Sequence, residues 1–270
     1  MRIPSAFTPG TLRIARLLRD GGALDVYAVG GSVRDALLGL HSKDIDLEVR
    51  GLSYQKIADI LSPHFPVSFV GRSFGVLKVG HHVDVSLPRR ESKIGSGHRG
   101  FAIEADPTLS EREAFARRDF TVNAIGMRPD GTLIDHYDGL SDLKRGILRA
   151  VSPAFRDDPL RVLRGMQFAA RFGFTMDEGT VNLCRELFDE FPTLSEERIL
   201  EEWRKWALRG RFPSRGLAVL RQTGWIRGFP ELAALCGCPA ESGSQKSCGD
   251  SGGDVWDHTC QVCDRMTRLV

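Results

Sequence analysis

Asp44 and Asp46 stand one pleat apart in the run Asp44-Ile45-Asp46-Leu47-Glu48-Val49. Side chains alternate along a strand, so the two carboxylates share one face while Ile45, Leu47 and Val49 pack on the other. Paired carboxylates supply the hard oxygen ligands taken by Mg2+ on a nucleotide. Upstream, Gly30 and Gly31 let the backbone turn tightly and approach a ligand with no Cβ in the way. Alone, a Gly-Gly is ordinarily a turn and an Asp-x-Asp a solvated strand face. In this order, with Arg34-Asp35 on the intervening helix, they place an anion cradle beside a cation site, as phosphoryl chemistry on a nucleotide requires.

The elements that must position these groups follow from pattern. Residues 26–29, Val-Tyr-Ala-Val, read as a strand, and Ser32 as the N-cap of a helix through Val33, Ala36, Leu37 and Leu38. The free N–H groups and dipole of that helix point at the cradle. The second strand begins at Asp44. Residues 11–20 predict an amphipathic helix, and Ser53 caps another with Tyr54, Ile57, Ala58 and Leu61 on its apolar side. Short strands at 67–70, 75–79 and 83–87 make the sheet mixed and partly antiparallel. In the last of them Asp84 interrupts an apolar alternation, a pattern that an edge-strand charge would also produce. Residues 88–109 turn polar and Gly-rich, with Arg89, Arg90, Lys93 and Arg99, which predicts a mobile loop. Ser110 and Glu113 form a capping box. The helix they open is expected to carry Arg117-Arg118-Asp119-Phe120-Thr121-Val122-Asn123-Ala124. Paired guanidiniums beside an Asp and an Asn suit phosphates and sugar hydroxyls.

The chain has 270 residues, room for one large or two small domains, and 41% apolar content allows sizeable cores. Thirty-seven basic against 35 acidic residues give a net charge of +2, too small to argue for nucleic acid by itself. No apolar run approaches the roughly 20 residues of a membrane span, and the N-terminus lacks the apolar core of a secretory signal, so a cytoplasmic location is expected. Of six cysteines, five cluster from Cys236 onward. Cys260-x-x-Cys263 beside His258 invites a zinc reading, but i, i+3 on a helix-like apolar face and the short Cys236-x-Cys238 spacing argue against structural zinc.

Taken together, GGSVRDALLG…KDIDLE and RRDFTVNA resemble the class II tRNA nucleotidyltransferases (CCA-adding enzymes) and their relatives, the bacterial poly(A) polymerases. The resemblance covers about residues 25–235. It implies an α/β nucleotidyltransferase head followed by an all-helical neck and body: a head over 1–152, a neck and body over 153–235, and a terminal segment over 236–270. It implies a third catalytic carboxylate, Asp84, beside Asp44 and Asp46, with Mg2+ as cofactor. Gly30, Gly31 and Arg34 would hold the triphosphate, with Arg117, Arg118, Asp119 and Asn123 as further nucleotide contacts. The loop at 88–109 would help reposition the site between C and A addition.

Asp135, Gly139, Asp142 and Leu143 match the family's linker from head to neck. Beyond it, Asp157, Asp158, Arg161 and Arg164 are spaced for one helix face, where a salt-bridge stripe is the ordinary outcome. By resemblance, Asp158 and Arg161 read the incoming base, imitating a template strand, and Arg164 supports the nucleotide. This chain departs from the family motif at Asp157, where a Glu is usual, and at Gln167, where the next nucleotide-binding arginine would stand. Ser195-Glu196-Glu197-Arg198 matches a body motif and starts a helix. Arg204, Lys205, Arg209, Arg211, Arg215, Arg221 and Arg227 follow with no acid among them over residues 203–228, an RNA-backbone footprint. Trp203, Trp206 and Trp225 read as core. The Gly/Ser-rich stretch after Pro239 is linker-like, and GDVWDHTCQVCDRM resembles the start of an HD-type phosphohydrolase domain, with His258 as its first metal ligand. The ligands needed to complete such a domain do not follow.

The expected reaction is attack of a tRNA 3′-hydroxyl on the α-phosphate of CTP or ATP, releasing pyrophosphate, with no DNA or membrane partner. Poly(A) addition or partial CC- or A-addition shares every motif. An RNA-binding protein with an idle site is the rival of another class, and the intact Asp-x-Asp speaks against it.

Overall fold

The computed structural model describes residues 5–70, 75–93, 101–238 and 254–267. The chain divides into two units, residues 1–145 with 150–155, and residues 146–149 with 156–270.

In the first unit a β-branched and aromatic run makes β1 (Asp25–Val29), buried along its whole length. After α1 (Pro9–Asp20), β1 and α2 (Gly31–Leu37) come β2 (Ile45–Arg50), α3 (Tyr54–Leu61), β3 (Val67–Val70), β4 (Val76–Val79) and β5 (Val83–Ser86). Then follow β6 (Arg89–Lys93), β7 (Phe101–Ala105), α4 (Glu111–Ala116), β8 (Ile125–Met127), β9 (Leu133–Asp135) and α5 (Gly139–Arg145). Seven strands form one sheet in the order β3-β4-β5-β2-β1-β8-β9. Among the described residues only β2 and β5 pair in parallel in it and the other pairings are antiparallel, the mixed sheet expected from the sequence.

Thr8 and Thr11 box the start of α1, which buries Ile14, Ala15 and Leu18 and packs on β1 and α3. Ser53 caps α3 as read, and Ile57 and Leu61 are its buried residues. Ser110 and Glu113 form the predicted capping box of α4. From it Ala114 and Phe115 join a buried cluster with Tyr27, Val29, Ala124 and Ile134. The Tyr27 and Phe115 rings meet edge-on at 5.9 Å.

Several local expectations are corrected. The N-cap of α2 is Gly30, not Ser32. A positive φ at Gly30 turns the chain earlier, leaving Ser32 buried in the first turn with its hydroxyl donating to the Val29 carbonyl at 3.1 Å. Asp44 lies just outside β2, which starts at Ile45. Residues 88–109 are not simply a loop, since β6 and β7 pair there as an antiparallel hairpin; backbone pairing formed it without a clear apolar period in β6. Residues 94–100 of that stretch lie outside the described residues. RRDFTVNA does not sit on α4, which ends at Ala116. Its residues run through the helix C-cap, a bridge from Phe120 to Ala150, and a 3-10 turn at Thr121–Asn123. The Asp135 motif is no linker either, because Asp135 accepts the Gly139 and Leu140 N–H groups at 2.8 and 2.9 Å and so caps α5 inside the first unit.

The second unit is almost wholly helical: β10 (Ile147–Leu148) and β11 (Thr175–Met176) pair in parallel beside α6 (Arg161–Phe172), α7 (Glu178–Glu186), α8 (Glu196–Arg209), α9 (Pro213–Thr223), α10 (Pro230–Ala233) and α11 (Val255–Met266). α6 packs on α8 and α9. A Cβ at Gly216 would lie 2.7 Å from both the Met166 carbonyl oxygen and the Trp206 Nε1, so a bare glycine sets how closely α9 approaches. Trp225 is fully buried, core as expected, whereas Trp203 and Trp206 meet edge-on and are only half-buried. Asp254 caps α11, and Asp264 on it accepts from the backbone and hydroxyl of Ser214 at 2.9 and 2.6 Å, tying the terminal helix to α9. Among the described residues no helix is long and apolar enough to cross a membrane.

Candidate active site

The parallel pairing of β2 and β5 sets Asp46 directly opposite Asp84. In a parallel pair, facing residues point to the same side of the sheet, and Asp44 precedes Asp46 by one pleat. The structure therefore brings Asp46 and Asp84 to one face, with Asp44, just ahead of the strand, close enough to act on Asp46. Burial pushes the Asp46 carboxyl above the usual aspartate range; Arg118 pulls it down, and Asp84 and Asp44 push it up again. Asp46 nonetheless keeps an edge open to water, as a ligand-accepting carboxylate must. Two side chains attend its neighbours, one on β4 and one in the turn before β5. Lys78, opposite Asp84 in β4, donates to it at 3.0 Å, which raises the lysine's own pKa. His82 Nδ1 stands 3.3 Å from Asp44.

Among the described residues no three His, Cys, Asp or Glu side chains already converge closely enough to hold a metal ion. The chemistry of the donor set still fits Mg2+: hard oxygens on one face, at mutual electrostatic cost, which a divalent cation would relieve once Lys78 and His82 swing aside.

Beside this face lies the glycine turn. Gly30 adopts φ +70°, ψ −134°, and a Cβ there would come within 2.7 Å of Arg118 Nη1. The Arg118 guanidinium thus roofs the turn, and its attraction for an anion outweighs what a seven-residue helix contributes. Arg34, expected at the triphosphate, is buried behind the turn. Its Nε and Nη2 donate to Asp35 at 2.8 and 2.6 Å, and its Nη1 to the Asn123 carbonyl oxygen Oδ1 at 2.5 Å. Asn123 in turn donates to Asp119 at 2.9 Å. Arg34, Asp119 and Asn123 are placed as a buried frame that ties α2 to the 121–123 turn, while Arg117 and Arg118 reach towards the carboxylate face.

One partner escaped the sequence reading. Glu48, one pleat past Asp46, is fully buried and accepts from the Tyr27 hydroxyl at 2.8 Å. Its other oxygen lies 3.6 Å from Arg117 and 3.9 Å from Arg118. The alternation that joins Asp44 to Asp46 continues to Glu48, and that was the signal available. Lys78 and His82 left no such signal, because their role depends on strand register.

In the second unit, Asp157 and Asp158 are not on α6. Pro159 breaks the helix, which begins at Arg161, and the expected single-face stripe is lost. Asp158 instead accepts from the Leu160 N–H at 3.2 Å and from Arg198 at 2.8 Å. Arg161 is buried on the first turn of α6, Arg164 lies over the Phe168 ring at 5.2 Å, and Gln167 is buried. Arg204, Arg209, Arg211, Arg215, Arg221 and Arg227 are exposed, while Lys205 pairs with Glu202 at 2.9 Å.

Facing carboxylates on a mixed sheet, with an arginine-roofed glycine turn beside them, define a nucleotidyltransferase-type head. Residues 26–149 match the model of the "Poly A polymerase head domain", and residues 173–236 that of the "Probable RNA and SrmB- binding site of polymerase A". The chain belongs to the family of tRNA nucleotidyltransferases and bacterial poly(A) polymerases.

Solved structures agree. The CCA-adding enzyme of Bacillus stearothermophilus in complex with CTP is 31% identical, with a TM-score of 0.66 over 81% of this chain and 53% of that one. The Thermotoga maritima CCA-adding enzyme complexed with tRNA is 28% identical, with a TM-score of 0.66 over 84% of this chain and 54% of that one. A CCA-adding enzyme with ATP is 28% identical at a TM-score of 0.65, over 84% of this chain and 53% of that one. The chain spans about half the length of these relatives.

Proposed function

We propose that this protein transfers C and A nucleotides from CTP and ATP to the 3′ end of tRNA, building the CCA terminus without a nucleic-acid template and releasing pyrophosphate. The observation that carries the reading is the register of β2 against β5, which sets Asp46 opposite Asp84 with Arg118 over the adjacent glycine turn. Support comes from the solved relatives, described as CCA-adding enzymes with CTP, ATP or tRNA.

Asp44, Asp46 and Asp84 would hold Mg2+, which when bound acidifies the attacking 3′-hydroxyl and neutralises charge on the leaving oxygens. Arg117 and Arg118 bind the phosphates, their planar donors matching phosphoryl oxygens. The Gly30 turn lets the triphosphate approach the backbone, and the frame of Arg34, Asp119 and Asn123 keeps that turn rigid. In the second unit, Asp158 offers an acceptor and Arg161 donors for the base edge, with Arg164 and Gln167 beside them on α6; Arg198 orients Asp158. The exposed arginines of α8 and α9 and the turns after them follow the tRNA backbone. The reading carries with it a cytoplasmic location, where tRNA and both nucleotides meet.

The test is to supply a tRNA lacking its CCA end with CTP and ATP in Mg2+ and to sequence the product 3′ ends. CCA termini are expected. Homopolymeric A tails would make the protein a poly(A) polymerase, products ending at CC or gaining A alone a partial adder, and RNA binding without incorporation a binding protein.

A further inference from the structure

Glu48 has no place in the reading above. It is a carboxylate with no exposed surface, on the strand that carries Asp46 and pointing to the same side of the sheet. A buried carboxylate is costly unless it has partners. Tyr27 satisfies Oε1, but Oε2 makes no hydrogen bond, standing instead at ion-pair distance from the guanidiniums of Arg117 and Arg118. Arg118 Nε is likewise buried without a hydrogen-bond partner. The contact is therefore one of charge at a short remove, which aims the guanidiniums without consuming their donors. Arg118 also acts on Asp46, so it lies in the field of two carboxylates of one strand. With the Glu48 charge removed, Asp46 would still draw Arg118.

We propose that Glu48 is a positioning residue for nucleotidyl transfer: its buried charge holds Arg117 and Arg118 in the geometry that receives the triphosphate and keeps Arg118 off Asp46. This rests on the nucleotidyltransferase reading of the same site. Charge and geometry predict different kinetics. Removing a negative charge leaves the arginines more attractive to phosphate, so ground-state binding should not weaken. Losing their aim misplaces the reacting phosphorus, which affects turnover.

The experiment compares the full chain as wild type, E48Q and E48D, with kcat and KM for CTP on a tRNA lacking CCA, and melting curves for each. E48Q keeps the side-chain volume and an oxygen for the Tyr27 hydroxyl. It is expected to lose at least about tenfold in kcat with KM for CTP within about threefold of wild type, the signature of a lost transition-state alignment. E48D, which restores the charge on a shorter stem, is expected to recover most of that kcat. Two-dimensional NMR of the Arg Nε–H groups in the nucleotide-free protein should show the Arg118 signal displaced in E48Q and returned in E48D. The proposal is overturned if E48Q turns over at the wild-type rate, if KM rises tenfold with kcat unchanged, or if E48D and E48Q lose activity only in step with their melting temperatures. Failure of the wild type itself to incorporate CTP would instead remove the reading on which the proposal rests.

Discussion

Gly30→Ala separates the two demands that the structure makes of one glycine. At φ +70°, ψ −134°, Gly30 lies where residues with a Cβ scarcely go, a conformation costing about 1–3 kcal/mol. The added Cβ would also stand 2.7 Å from Arg118 Nη1, so the guanidinium must withdraw from the turn. Gly131 supplies the control. Its φ is +88°, and a Cβ there meets nothing within 4 Å, so Gly131→Ala carries backbone strain of about 1–2 kcal/mol and no displacement. For a unit of this size each kcal/mol lowers Tm by roughly 2–4 °C, so calorimetry should show both variants melting several degrees early. Only Gly30→Ala should lose activity. Moving a phosphate-binding group by an ångström costs about a hundredfold, so kcat/KM for CTP on tRNA should fall by about that factor while Gly131→Ala stays at the wild-type value. A Gly30→Ala protein that melts early yet keeps wild-type kcat/KM would refute the placing of Arg118 over the phosphate site.

Asp46→Asn should cut turnover in Mg2+ by at least about a hundredfold, since several kcal/mol of metal-borne stabilisation go with the ligand. The same variant should melt no lower than wild type at pH 7. The folded carboxyl titrates above its unfolded value, so ionisation works against the native state above that pKa, and the variant's advantage should vanish below about pH 4, where both forms are protonated; a marked loss of Tm at neutral pH would contradict this. Arg161→Ala should let UTP or GTP compete better against CTP and ATP, because a base-edge partner is worth about 1–3 kcal/mol of discrimination; equal loss with all four nucleotides would make it a phosphate clamp or a helix residue instead. Asp254 is held below the usual aspartate range by hydrogen bonds from the Gly237 and Asp257 N–H groups. Its capping of α11 is therefore fully present above the ordinary aspartate pKa and lost as pH falls through the depressed value. Amide exchange along α11 should speed up over that acid range in wild type and not in Asp254→Asn, and identical profiles would refute the cap.

Local chemistry was legible in the chain. Val-Tyr-Ala-Val followed by Gly-Gly, Ser53 ahead of α3, and Ser110 with Glu113 each specify their own few residues, because capping and strand propensity act over one or two turns. Alternation likewise put Asp44 and Asp46 on one face before any fold was known. Where side-chain spacing was followed past a local stop signal, the reading failed. Pro159 ended a helix that spacing alone had run through Asp158, and a helix thought to carry Arg117 and Arg118 stopped at Ala116. What only the tertiary structure decided was which distant residues face one another. Asp84 stands 38 positions from Asp46 and meets it through a parallel pairing whose register no local pattern encodes. Lys78 and His82 reach the carboxylates through the β4–β5 hairpin, Arg34 turns inward because Asn123 arrives behind it, and Glu48 becomes the buried counterion of Arg117 and Arg118 only once α4 has folded over the sheet. Strand pairing and burial set the charge environment of each group, and both are properties of the assembled sheet, absent from any single stretch of the chain.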